Sequence, residues 1–211
     1  IIQSGKVEVF GLDMSKRSTR DALSHKVAFM PQGLGRNLYK TLSVMENINF
    51  HASLFGIPRK ERQARIERLL EATALDPFAD RPAGKLSGGM KQKLSLCCAL
   101  VHSPDFLILD EPTSSLTETE VEHLFKIINM LRDRGCGIIY ISHKMAEIKR
   151  ISDDITVMRD GKWVATKPAA ELEMGDIIKL MVGRELTNLY PPRSNTPGEV
   201  IYKVEDFTSI N

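Results

Sequence analysis

Two stretches of the chain carry residue types and spacings that can do chemistry. Leu86-Ser87-Gly88-Gly89-Met90 opens a segment with helical spacing, and Phe106-Leu107-Ile108-Leu109-Asp110-Glu111 is an apolar run that ends in two carboxylates. The first turn of a helix exposes unpaired backbone N–H groups at the positive end of the helix dipole. Ser87, Gly88 and Gly89 at such a start therefore make an anion site. The glycines let the backbone come close to the anion, and Ser87 offers a hydroxyl or an N-cap. Taken alone, Ser-Gly-Gly is also what an ordinary capped helix in a flexible loop looks like.

Phe106 to Leu109 is a short unbroken apolar run, the pattern of a strand buried on both faces of a parallel sheet. Asp110 and Glu111 then emerge at its carboxyl end, where open α/β sheets hold their ligands. An Asp there can hold Mg²⁺ directly or through water, and the adjacent Glu, pointing differently, can polarise an attacking water. Asp-Glu-Pro by itself also fits a turn leading into a helix. The conjunction of a phosphate-binding helix start with a strand that delivers two carboxylates is what favours the functional reading.

The surrounding pattern supplies elements that can position these groups. Lys6 to Phe10 alternates like a strand ended by Gly11 with Leu12-Asp13, and Val27 to Met30 is a second short strand closed by Pro31 and followed by a polar loop, Gln32 to Asn37. Val44 to Phe55 has helical spacing stopped by Gly56 and Pro58. Lys60 to Ala74 is a charged amphipathic helix, and together these two look like an insertion before the Ser-Gly-Gly segment. After a helix from Gly88 to His102 and the strand to Asp110, Thr117 and Glu120 form a capping box for a helix running to about Arg134. Ile138 to Ile141 is a further apolar strand, so strand, helix and strand imply a crossover within a parallel sheet. His143 follows it, on the same sheet edge as Glu111. Ile155 to Met158 and Trp163 to Thr166 flank the hairpin turn Asp160-Gly161. Leu172 to Val182 reads as a last helix, 188–199 as a linker, and Val200 to Phe207 as the first strand of another domain.

Composition narrows the function classes. The chain has 211 residues, 42% of them apolar, enough for one large α/β domain or one domain with an appendage. A net charge of +2 from interspersed acids and bases leaves no electrostatic footprint for nucleic acid, and no direct nucleic-acid partner is expected. Cys97, Cys98 and Cys136 fit neither a disulfide framework nor a zinc spacing, and read as small buried apolar residues. No run approaches the roughly twenty apolar residues of a membrane span.

With these motifs in this order, the chain resembles the nucleotide-binding domain of ABC transporter ATPases. Leu86-Ser87-Gly88-Gly89-Met90 is similar to the signature motif, Phe106 to Asp110 to Walker B, Glu111 to the catalytic carboxylate, and Ser142-His143 to the switch histidine. Gln32 sits where the Q-loop glutamine would be. The resemblance implies an α/β, P-loop NTPase-like parallel sheet with helices on both faces and a helical subdomain over about 42–102, within a nucleotide-binding domain over 1–187. It implies ATP and Mg²⁺ as ligands, with Asp110 and Gln32 at the metal, Glu111 and His143 catalytic, and Gln32, Ser87, Gly88 and Gly89 contacting nucleotide. Ser87, Gly88 and Gly89 would grip ATP held by a second such domain. Transmembrane permease subunits are the implied partners, at the cytoplasmic face of a bacterial inner membrane. Lys91 and Gln92, just past the signature, are placed to touch nucleotide but are expected on the solvated helix surface.

Two departures stand out. No Gly-x-x-x-x-Gly-Lys-Ser/Thr occurs in the sequence. In the family that loop and its helix come just before a segment like Ser4 to Gly11, so the chain is expected to begin after them and, alone, to bind ATP poorly. Thr117 also stands where most relatives have an Asp. With Ser142-His143-Lys144-Met145 and Met181-Val182-Gly183-Arg184, it resembles the first ATPase domain of bacterial monosaccharide importers. Leu42-Ser43-Val44-Met45-Glu46-Asn47 and Phe55-Gly56 look more like ABC-2 type exporter and ribosome-associated ATPases. Three expectations follow: a sugar-importer ATPase, a module that binds without hydrolysing, and an exporter or ribosome-associated ATPase.

Overall fold

A computed structural model describes residues 5–33, 35–183, 198–199 and 201–205. The chain opens with a short antiparallel ribbon, β1 (Glu8–Val9) and β2 (Leu12–Asp13). Phe10 and Gly11 both take positive φ, 51° and 72°, which gives a two-residue turn with the twist of a type I′ hairpin. The segment expected to end one strand therefore begins a second. Phe at the first turn position hides the signal, because a bulky side chain rarely occupies the left-handed region. Helix α1 (Arg17–Leu23), which no apolar stripe announces, buries only Leu23 and leads to β3 (Val27–Met30).

Three helices then share one core. α2 (Val44–Leu54) starts in a capping box in which Ser43 and Glu46 exchange bonds, and α3 (Arg59–Thr73) ends at Ala74 in the left-handed region. α4 (Gly88–Leu100) follows. Val44, Ile48, Ala52, Ile66, Leu70, Leu94, Cys97 and Val101 pack between them. Asn47, fully buried, bonds backbone groups of Tyr39, Leu42 and Ser43 and so fastens the loop before α2.

The parallel sheet is formed by β3, β4 (Phe106–Asp110) and β5 (Gly137–Ile141), in that order, with α5 (Glu118–Asp133) crossing between β4 and β5. The predicted Thr117–Glu120 capping box starts α5, and Gly135 at φ 87° ends the turn after it. Ala28, Met30, Leu107 and Leu109 share one face, packed by Leu96 and Leu100 of α4 and Leu124, Phe125 and Ile128 of α5. The other face is only partly covered. Phe29, Ile139 and Ile141 remain 54%, 46% and 46% exposed. A continuous apolar run signals a strand but does not reveal what covers its second side.

α6 (Met145–Ile151) leads to a hairpin of β6 (Asp154–Arg159) and β7 (Lys162–Pro168), turned at Asp160 and Gly161 with φ 52° and 73° as its sequence predicts. α7 (Met174–Val182) begins two residues later than its apolar spacing suggests, because Glu173 and Asp176 form its capping box. Ile155, Val157, Ala169, Leu172 and Ile177 make a third small core. Of the proposed linker, 188–197 lie outside the described residues, as do Val200, Asp206 and Phe207 of the proposed last strand. Residues 201–205 form no strand.

Candidate functional site

The carboxylates are delivered by the carboxyl end of β4. The register pairs Asp110 with Ile141, so Glu111 and Ser142 emerge side by side, and the Glu111 N–H donates to the Ile141 carbonyl at 2.9 Å. Glu111 takes φ 49°, which turns its side chain away from the strand direction. Its carboxylate is 8% exposed as a residue; Oε1 accepts the His143 backbone N–H at 3.0 Å and lies 2.7 Å from His143 Nδ1. Oε2 is buried with no partner. With Glu111 ionised, Nδ1 is the donor, which leaves Nε2 of the exposed ring as an acceptor in the neutral imidazole and a donor when protonated. Asp110 is half-buried, and its carboxylate makes no bond among the described residues.

Gln32 lies two residues past β3, and the pairing of Met30 with Leu109 sets it at the same sheet edge as Glu111. Its side chain is exposed and bonds neither carboxylate. Ser87 caps α4, its Oγ accepting the Met90 N–H at 3.2 Å. Gly88 and Gly89 fill the first turn, where N–H groups lack intrahelical acceptors. A Cβ on Gly89 would come within 3.0 Å of the Ser115 carbonyl and 3.1 Å of Glu120 Oε2, so this glycine permits close approach to the segment after Glu111. Lys93 pairs with Glu120 at 2.9 Å and holds that carboxyl below its usual range.

Two features escaped the sequence pattern. Gln92 is not at the solvated surface: it is 2% exposed and donates from Nε2 to the Glu111 carbonyl at 3.3 Å. Its spacing from Leu96 and Ala99 on the inward stripe of α4 was the available signal. Glu147 of α6 accepts from the Thr113 hydroxyl at 2.7 Å and the Tyr140 hydroxyl at 2.8 Å, while Lys144 Nζ bonds Glu147 Oε1 and the Thr113 carbonyl, each at 3.1 Å. Burial and the Glu147 carboxylate push the Tyr140 phenol far up, keeping it a neutral donor. This network fixes the chain immediately after Glu111. No local pattern announces it, since Thr113 and Glu147 are 34 residues apart.

The chain matches the ABC transporter family model over residues 2–114, a span that holds the Ser87-Gly88-Gly89 segment, β4, Asp110 and Glu111. The chain belongs to the ABC transporter family. Its fold is the α/β, P-loop NTPase-like fold of ABC ATPases. It is 40% identical over 210 residues, 98% of its length, to the galactose/methyl galactoside import ATP-binding protein MglA 2 of Photobacterium profundum. Identity to the corresponding MglA of Escherichia coli strain K12 is 39% over the same span. The chain spans only 41% of these relatives' length. The importer match therefore runs through the segment that looked exporter-like as well. Among solved structures, the ATP-binding subunit of an ABC transporter superposes with a TM-score of 0.71 at 24% identity, over 89% of this chain and 74% of that one. CbiO1 of Clostridium perfringens, part of the ABC transporter complex cbiONQ, gives 0.70 at 26% identity, over 80% and 68%. No described helix is long and apolar enough to cross a membrane.

Proposed function

We propose that this chain is the signature-bearing and carboxylate-bearing part of an ATPase that drives import of a galactose-type sugar, acting through permease subunits at the cytoplasmic face of a bacterial inner membrane. The observation that carries the proposal is the buried Glu111 carboxylate, with one oxygen held by His143 and the other without a partner, beside Asp110, whose carboxylate makes no bond among the described residues. Such a carboxylate is oriented by one oxygen, and its second oxygen would take the proton of a water admitted beside it. Its 2.7 Å contact with His143 fixes the imidazole, whose Nε2 is then directed to a ligand at the sheet edge.

The donor set suits Mg²⁺. No group of three or more potential metal-ligating side chains occurs among the described residues, and Mg²⁺ typically takes one or two carboxylates with substrate phosphates and water. Asp110 is the residue that would hold it, with Gln32 approaching from the β3 edge. The ion would neutralise phosphate charge as the terminal phosphoryl group departs. Ser87, Gly88 and Gly89 open α4 beside Ser115, and their helix start is suited to phosphate oxygens of a nucleotide held by a second nucleotide-binding domain in head-to-tail contact. Galactose-type import is favoured by the likeness to the two MglA proteins across 98% of the chain.

The experiment is ATP turnover by the full-length protein with its permease subunits, for wild type and E111Q. Hydrolysis lost with nucleotide binding kept supports the proposal. Turnover unchanged in E111Q overturns it. Sugar uptake into vesicles, with galactose and ribose in competition, tests the transport part.

A further inference from the structure

Gln92 is buried to 2% exposure in the first turns of α4, where a polar side chain needs a reason. Nε2 donates to the Glu111 carbonyl at 3.3 Å, whereas Oε1 is buried without a partner. A carbonyl can only accept, so the amide must turn its NH₂ group towards Glu111, leaving its oxygen on the far side. Gln92 also lines a cavity of about 20 Å³ with Met30, Leu96, Pro112 and Leu116. That is room for one water.

The partner of this amide is an unusual backbone. Glu111 sits at φ 49°, a conformation that costs a non-glycine residue energy and persists where its surroundings hold it. Both of its backbone polar groups are held: the N–H by Ile141 of β5 at 2.9 Å, the carbonyl by Gln92 of α4. The first contact comes with the sheet. The second joins the carboxylate's backbone to the helix that begins at Ser87.

We propose that Gln92 is a positioning residue for Glu111, clamping the Glu111 carbonyl so that its carboxylate stays aligned with His143 and the start of α4 moves with it. The proposal rests on Glu111 acting on the attacking water, as proposed above. Misplacement of a reacting group by about 1 Å can cost on the order of 100-fold in rate, so loss of the clamp should appear in kcat.

The test uses the full-length protein with its membrane subunits. Q92M keeps the length and packing of the side chain but donates nothing; its kcat should fall about 10- to 100-fold, with KM for ATP within about twofold of wild type. Q92E has the same shape, and donates to the carbonyl only when protonated. Its kcat relative to wild type at the same pH should rise at least about fivefold from pH 8.5 to pH 6. The ionisable groups near this side chain are Glu111 and His143 at the sheet edge and Lys93, Glu120 and His123 around the cavity. All of them are common to both proteins in that ratio. A packing role alone would leave Q92M active and the Q92E ratio flat, and either result overturns the proposal. E111Q run in parallel separates the two ideas. If it is inactive while Q92M is fully active, only the clamp fails; if it is active, the role of Glu111 itself fails.

Discussion

Glu111 Oε1 and His143 Nδ1 stand 2.7 Å apart although 32 residues separate them in the chain. The contact exists because β4 and β5 pair in parallel with Asp110 opposite Ile141, bringing the two residues beyond the strands to one edge. It couples the carboxylate and the imidazole, and the His143 backbone N–H holds the same carboxylate oxygen at 3.0 Å.

In the full-length protein, E111Q should therefore lower ATP turnover by about 10²- to 10⁴-fold, the range for loss of a general base. H143A should cost a similar amount, and the double variant little more than either alone, because coupled groups are not additive. Steady-state turnover together with nucleotide-binding titrations checks this.

Gly89→Ala places a methyl group 3.0 Å from the Ser115 carbonyl, a backbone atom that cannot swing aside. The gain of up to about 1 kcal/mol in helix propensity should be outweighed by overpacking of about 1–3 kcal/mol, a net loss in urea unfolding. Gly175→Ala in α7 meets nothing within 4 Å and should be neutral or stabilising.

Lys93 holds the Glu120 carboxyl below its ordinary value of 4.5. A lowered carboxyl contributes stability that is present above pH 4.5 and is lost as pH falls through the folded-state value. K93M should thus be less stable than wild type at pH 7, with the difference shrinking below about pH 4.5. Parallel urea titrations at several pH values measure it.

His102 stacks on Phe55 with ring centroids 3.8 Å apart, and burial holds the imidazole below its usual 6.5. A lowered imidazole binds fewer protons folded than unfolded, so stability is full above pH 6.5 and declines as pH falls through the folded-state value. His102→Phe should remove that part of the acid sensitivity, read as the change in melting temperature between pH 7.5 and 5.

Burial pushes the Cys97 thiol up to about 11 and raises Cys98 as well, while Cys136 is partly exposed. At pH 8 the Cys97 thiolate fraction is then about one in a thousand. Alkylation followed by mass spectrometry should find Cys136 modified first, with Cys97 and Cys98 reacting only in denaturant.

The sequence by itself determined what depends on near neighbours. The capping box of Thr117 and Glu120, the Ser87 cap, the Asp160-Gly161 turn and the run of apolar residues into Asp110-Glu111 are local chemistry, and each forms where its residues predict. The family is legible for the same reason, since its motifs are short and ordered. Tertiary structure alone decided what lies across from each residue. Gln92 buried under Glu111 and Glu147 joining Thr113 to Tyr140 both depend on partners brought close by strand register and helix packing. The partly covered second face of the sheet belongs with them: an apolar strand states that it should be covered, and only the assembled elements state by what.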